Sequence, residues 1–178
     1  MGIHPWHITP ALLTQQYAEI TSYASQANCL ALGEIGLDKI CSTPWDLQLE
    51  VFEKQIDLAN TLHKPVIIHC VKAQQEILKL KSKAKTPWIL HGFNQKAQVG
   101  HEWLRHDFYL SFGKALLEPD SNASQFLPQV PLDKLFLETD QAQESIETIY
   151  KAACERLDLP LEKLDSILQV NFNRIFSI

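Results

Sequence analysis

CLALGEIGLDKI, residues 29 to 40, holds a short apolar run, two glycines around one acid, and a turn. Cys29, Leu30, Ala31 and Leu32 are too apolar for a strand with one wet face, so they read as a strand covered on both sides, as in a parallel sheet. Gly33, Glu34, Ile35 and Gly36 then put one carboxylate where that strand ends. An isolated carboxylate in an apolar setting is costly, and it either protonates or finds a cation. Glu34 therefore needs a partner.

Four later segments repeat the form of a β-branched or aromatic run that ends in polar chemistry. PVIIHC ends on His69, PWILHGF on His91, FYLSFG on Ser111 and LFLETD on Asp140. Helical stretches lie around and between them. Thr9 as cap, with Pro10 at the first helical position, opens a helix through about Gln26. Thr43 and Pro44 repeat that chemistry with Asp46 in the first turn, and Leu49, Phe52, Ile56 and Ala59 step at helical spacing through about His63. Further helices are predicted over about 73–84, 96–105, 143–157 and 161–170, with a short one over 123–127 inside the loop 118–131. The remaining strands are predicted over 66–69, 88–91, 108–112 and 135–139.

Strand and helix thus alternate five times with short connections, which is the signature of parallel βαβ units. An open doubly wound sheet and part of a (β/α)8 barrel both fit that alternation. The polar residues separate them. Glu34, His69, His91 and Asp140 stand at four different strand ends and converge readily only if the sheet curls. Carboxyl ends of strands are also where parallel folds build their sites.

At 178 residues and 46% hydrophobic content the chain suits one domain, 1–178, with a sizeable core. A net charge of −5 with no basic run excludes a wide electrostatic grip on duplex nucleic acid, while leaving room for local phosphate contacts. Cys29, Cys41, Cys70 and Cys154 have neither disulfide-framework nor CxxC spacing, and they read as reduced structural thiols of a cytoplasmic protein. No apolar run approaches the roughly 18 residues of a membrane span, and MGIHPWHITP is not a signal peptide, so no membrane partner is expected.

Glu34, His69, His91 and Asp140 form a mixed nitrogen and oxygen ligand set suited to Zn²⁺, Mn²⁺ or Mg²⁺, the histidines favouring transition metals. A single strand-end histidine is ordinarily structural; two of them, joined by two acids in equivalent positions, favour a metal site. A carboxylate shared by two ions serves the activation of water in ester displacement. Around this set stand further candidates. His4 and His7 in GIHPWH either line the same mouth and meet substrate or are solvated. Asp38 either orients Glu34 or caps a turn. Lys72, three residues after His69, either neutralises a phosphate or is a surface lysine. Cys70 is expected to pack, and Asn171 and Arg174 in VNFNRIF to tie down the terminal helix.

Together GIHP at 2–5, LGEIGLD at 32–38, QLEVFEKQIDLANTLHKPVIIH at 48–69, HGF at 91–93, LETD at 137–140 and NFNRIF at 171–176 resemble the TatD family of metal-dependent deoxyribonucleases, within the amidohydrolase-like barrels. These motifs run from end to end of the chain. The resemblance implies a (β/α)8 barrel with a two-metal site and water attack on the phosphodiester bonds of DNA. By motif match it implies Glu34 as the bridging carboxylate, His69 and His91 as ligands of one ion, and Asp140 as a ligand of the other ion and the water activator.

The family also begins with a strand carrying a His-x-His pair, and nothing before Gly2 supplies it. The expectation is therefore a TIM-type barrel that is incomplete, with the first two strands missing and about five to six βα units present, since a complete barrel takes roughly 250 residues. One complete three-ligand metal site is expected, and the second weak or empty. Where the family continues LETD with a small residue and proline, this chain has Gln141, Ala142 and Gln143. The rival expectation is a catalytically impaired barrel remnant that acts as an interaction module, with self-association through an open sheet edge.

Overall fold

A computed structural model describes residues 1–176, which fall into two compact units that divide between Ile89 and Leu90. The expected alternation is present. Strands β1 (Leu32–Asp38), β2 (Val66–Val71), β3 (Trp88–Leu90), β4 (Phe108–Phe112) and β5 (Leu135–Leu137) follow one another with helices between them. The helices are α1 (Leu13–Ala24), α2 (Trp45–Leu62), α3 (Gln74–Lys81), α4 (Ala97–Arg105), α5 (Asn122–Phe126), α6 (Ile146–Leu157) and α7 (Leu161–Phe176). The strands stand in sequence order in one sheet, with β1 parallel to β2 and β4 parallel to β5. Five strands among the described residues, against the eight of a complete (β/α)8 barrel, match the expectation of an incomplete one.

In the first unit β1 begins at Leu32, three residues later than the apolar run begins. Leu30 is exposed, and Cys29 and Ala31 are only half-buried; the buried apolar side chains of the strand are Leu32, Ile35 and Leu37. The cause is pairing. β2 starts at Val66, directly after Pro65, and Leu32 pairs with Val66 in the first rung of the ladder. The register then shifts, and Ile35 faces Ile68, Gly36 faces His69 and Asp38 faces Val71. Glu34 therefore stands inside β1 rather than at its end, and His69 lies two residues before the end of β2.

Helix α2 covers β1, burying Phe52, Ile56 and Ala59 as predicted while Leu49 is only half-buried, and it adds Gln48 and Gln55 to the buried face. Gln55 Oε1 accepts the Ile3 N–H at 2.7 Å and Gln55 Nε2 donates to the Ile3 carbonyl at 3.1 Å. Gln48 does the same for the end of β1, accepting the Asp38 N–H at 2.8 Å and donating to the Asp38 carbonyl at 3.0 Å. Each glutamine satisfies buried backbone groups that would otherwise need another partner. Residues 1–4 are held beside β1 in this way, and Ile3, Ile8, Ile20 and Val51 close a small apolar cluster beneath them. The expected caps differ from those found. Neither Thr9 nor Pro44, the residue at the α2 cap position, makes a side-chain cap bond, and the Thr43 hydroxyl instead donates to the Pro5 carbonyl at 2.7 Å.

In the second unit every residue of β4 is buried, and Leu110, Ser111 and Phe112 pair with Leu135, Phe136 and Leu137. Phe93, Phe112 and Phe126 pack with ring centroids 5.2 Å apart in each neighbouring pair. Gly100 on α4 is needed there, since a Cβ would stand 2.2 Å from the Phe126 ring. β5 ends at Leu137, two residues short of the prediction, and α6 starts at Ile146 behind a Ser145 cap rather than at 143. Asn171 Nδ2 donates to the Leu132 and Leu135 carbonyls at 2.7 and 2.9 Å, and Arg174 binds the Asp133 carbonyl. Both residues thus fasten α7 to the β5 approach, as expected.

Candidate metal centre

In the first unit His4, Glu34 and His69 come together, each offering one ligand atom, all within 4.8 Å of one another. Three elements supply them. His4 caps the 3-10 turn Pro5–His7, Glu34 is the third residue of β1, and His69 is the fourth of β2. The close approach of β1 and β2 at this level depends on Gly36, whose Cβ would sit 2.0 Å from the His69 carbonyl oxygen and whose φ of +151° suits glycine. Two imidazoles and a carboxylate are the donor chemistry of a divalent transition metal.

The hydrogen bonds around the group assign its protons. Asp38 is 1% exposed; its Oδ1 accepts the N–H of Ile40 at 2.8 Å, and its Oδ2 accepts the Trp6 indole Nε1–H at 2.6 Å. The same Oδ2 lies 3.3 Å from His69 Nε2. Burial pushes the Asp38 carboxyl up, but the hydrogen bonds from Trp6, Ile40 and His69, with the attraction of His69, outweigh it and hold it below the ordinary carboxylate range. A carboxylate only accepts, so His69 carries a proton on Nε2 toward Asp38, and a carboxylate behind a histidine fixes the orientation of its ring. Asp38 thus caps the turn after β1 and orients His69; the partner expected for it, Glu34, is not the one it takes.

His4 is protonated the other way round. Its Nδ1 accepts the Trp6 backbone N–H at 3.1 Å, so the neutral ring bears its proton on Nε2. In that tautomer His4 is a hydrogen-bond donor standing beside Glu34 and His69. It becomes a ligand through Nε2 only if Nδ1 takes the proton and releases Trp6. Glu34 and His69 therefore fit a divalent ion as they stand, and His4, expected at the substrate mouth, fits a proton-donating neighbour of it. His7 is exposed, 5.8 Å from the His4 ring, and outside the group. Lys72 is exposed one residue beyond β2, at φ +53°. Cys70 is half-buried, its thiol pushed up to about 11 by burial, as suits a packing residue.

In the second unit His91 follows β3 directly and Glu138 follows β5 directly. His91 Nδ1 lies 3.6 Å from Glu138 Oε1, and that same oxygen accepts the Gly92 N–H at 2.7 Å. Both line a cleft of about 400 Å³ together with Asn94, Lys114 and Asp140. Asp140 is exposed, three residues past β5 and at φ +48°. Glu138 is the residue that sequence reading passed over. It shares the LETD run with Asp140, and its signal is that the acid two places earlier lies closer to the strand. Trp6 was likewise passed over, although it stands between two candidate histidines.

The sequence pattern of the TatD related DNase family matches residues 1–177. The chain belongs to the TatD family. It is 29% identical over 193 residues to a Bacillus subtilis protein named an uncharacterized metal-dependent hydrolase, YabD, spanning 97% of this chain and 76% of that one. It is 32% identical over 150 residues to the 3'-5' ssDNA/RNA exonuclease TatD of Cronobacter turicensis, spanning 78% of this chain and 55% of the relative. Human 3'-5' RNA nuclease TATDN2 is 28% identical over 201 residues, and the chain spans only 26% of its length. The fold matches the crystal structure of an Escherichia coli TatD homologue, YJJV, with a TM-score of 0.86 at 22% identity, covering 100% of this chain and 76% of that one. This TatD chain is thus an α/β protein that shares the fold of its structural neighbours. Among its described residues no helix is long and apolar enough to cross a membrane.

Proposed function

We propose that the chain is a metal-dependent phosphodiesterase of single-stranded nucleic acid, with Glu34 and His69 as ligands of a divalent ion. The observation that carries this reading is the buried His69, held by the Asp38 carboxylate behind it, in one group with Glu34 and His4. Family membership and relatives named as nucleases and a metal-dependent hydrolase support the same chemistry. Zn²⁺ or Mn²⁺ suits two-nitrogen sets better than Mg²⁺ does. A bound ion would supply Lewis acidity toward a phosphoryl oxygen and an acidified water.

The chain's own residues have separable tasks. Asp38 and Trp6 fix the His69 ring; His4 offers its Nε2–H to a phosphoryl or leaving-group oxygen. The resemblance assigns Asp140 as the general base and His91 as a metal ligand, and within the second unit Glu138, 3.6 Å from His91, orients that ring. Lys72 contacts a phosphate of the strand. The test is cleavage of an end-labelled single-stranded DNA oligonucleotide with Mn²⁺, Zn²⁺ or Mg²⁺ added to metal-free protein. Cleavage that needs metal and falls at least 100-fold in Glu34→Gln and in Asp140→Asn is expected. Cleavage indifferent to both substitutions, or none with any metal, contradicts the proposal.

A further inference from the structure

Trp6 combines two properties that rarely coincide. The residue is 56% exposed, yet it is fixed at three points. Its indole N–H is bound to the buried Asp38, its backbone N–H is bound to His4, and the Pro5 carbonyl before it receives the Thr43 hydroxyl. Its ring stands edge-on to both imidazoles of the group, with centroids 4.8 Å from His4 and 5.7 Å from His69. The Nε1 edge points inward to Asp38, so what faces water is the apolar remainder of the ring. Exposing that surface costs free energy in the isolated protein. It is recovered only when something flat and apolar covers it.

We infer that Trp6 is a stacking platform for one nucleobase of a single strand whose phosphodiester lies at the His4–Glu34–His69 group. This deepens the function proposed above and rests on it. Nucleobases fit because every base offers a π-face, and an aromatic ring held in place takes one with little loss of side-chain freedom. A single strand fits because bases inside a duplex are already stacked on both faces. The charge balance points the same way. With 16 Lys and Arg against 21 Asp and Glu, the chain has little to offer a run of phosphates, so affinity must come from contacts of another kind.

The experiment compares two ligands on Mn²⁺-loaded protein: a fluorescein-labelled phosphorothioate dT octamer, and the same backbone with every base removed. Wild type is expected to bind the base-bearing octamer about 5- to 150-fold more tightly than the abasic one, the range of one base stacked on an aromatic ring. Trp6→Ala is expected to bind both alike, at the abasic level, and Trp6→Phe to keep most of the preference because it keeps a ring. Indole fluorescence should be quenched by the dT octamer in wild type and not in Trp6→Phe. Equal binding of the two octamers by wild type overturns the inference, and so does a Trp6→Ala loss of equal size for both, which is what disturbance of Asp38 and His69 alone would give. If wild type cleaves DNA yet shows no base preference, the platform falls and the nuclease reading stands. If it neither cleaves nor binds, both fall.

Discussion

The side chain that decides the chemistry of the first unit is Asp38, although it is not itself in the group of three. Replacing it with Asn keeps its shape and removes the charge that holds His69 Nε2–H in place. Asp38→Asn is expected to weaken Mn²⁺ or Zn²⁺ binding about 10- to 100-fold, the usual cost of losing the carboxylate behind a ligating histidine, with isothermal calorimetry as the check. Unchanged affinity would make Asp38 a turn cap only. Gly36→Ala is a sharper steric test. With its Cβ 2.0 Å from the His69 carbonyl oxygen and φ at +151°, the variant must part the two strands or strain the backbone. A loss of about 3 kcal/mol or more in denaturant unfolding is expected.

At this scale Glu34 and His69 were legible, because an acid and an imidazole inside apolar runs demand an explanation. The Asp38 partnership was not, since its Trp6 donor lies 32 residues away and local sequence carries no trace of that contact. The acid in LGEIGLD was readable as a cap and equally as an orienting group. It turned out to be both, but toward His69.

Among the elements, strand boundaries were read less well than strand identity, and for one reason. Hydrophobicity marks what a strand buries, whereas its ends are set by its neighbour. Cys29–Ala31 are apolar enough to be strand, but β2 begins only at Val66, so among the described residues the β1–β2 ladder starts at Leu32. Helix faces were read better, because Phe52, Ile56 and Ala59 bury where their spacing puts them. The buried glutamines beside them follow from backbone that needs partners, which periodicity does not report.

Helix α1 offers a test of its packing. Tyr17 lies against the small cluster of Ile3, Ile8, Ile20 and Val51, and its buried hydroxyl makes no hydrogen bond among the described residues. Burial, with a smaller contribution from Glu50, pushes this phenol up to about 12 from an ordinary 10.0. The folded protein then keeps that proton while the unfolded chain gives it up. Stability is therefore expected to fall as pH rises from about 10 toward about 12. An absorbance titration of the four tyrosines should show a late-ionising phenol that Tyr17→Phe removes. At neutral pH the same substitution should cost less than about 0.5 kcal/mol, since the hydroxyl it deletes is unpaired.

For the whole molecule, the sequence carried the fold class because alternating strands and helices, joined by short connections, admit few arrangements. The family followed from motifs spread from Gly2 to Phe176. Charge sets a further expectation at this scale. With a net charge of −5, binding of a short DNA strand should depend weakly on salt, the logarithm of affinity falling with a slope of about −2 or less in magnitude. A slope of the size that six or more phosphate contacts would give contradicts recognition by stacking and metal. The central claim is that Glu34 and His69 hold a divalent ion. Calorimetric titration of Mn²⁺ into metal-free wild type, Glu34→Gln and His69→Ala, each shown to be folded, tests it most directly: a saturable binding event in wild type, lost in both variants, is the predicted result, and no binding by wild type, or binding unchanged in His69→Ala, contradicts it.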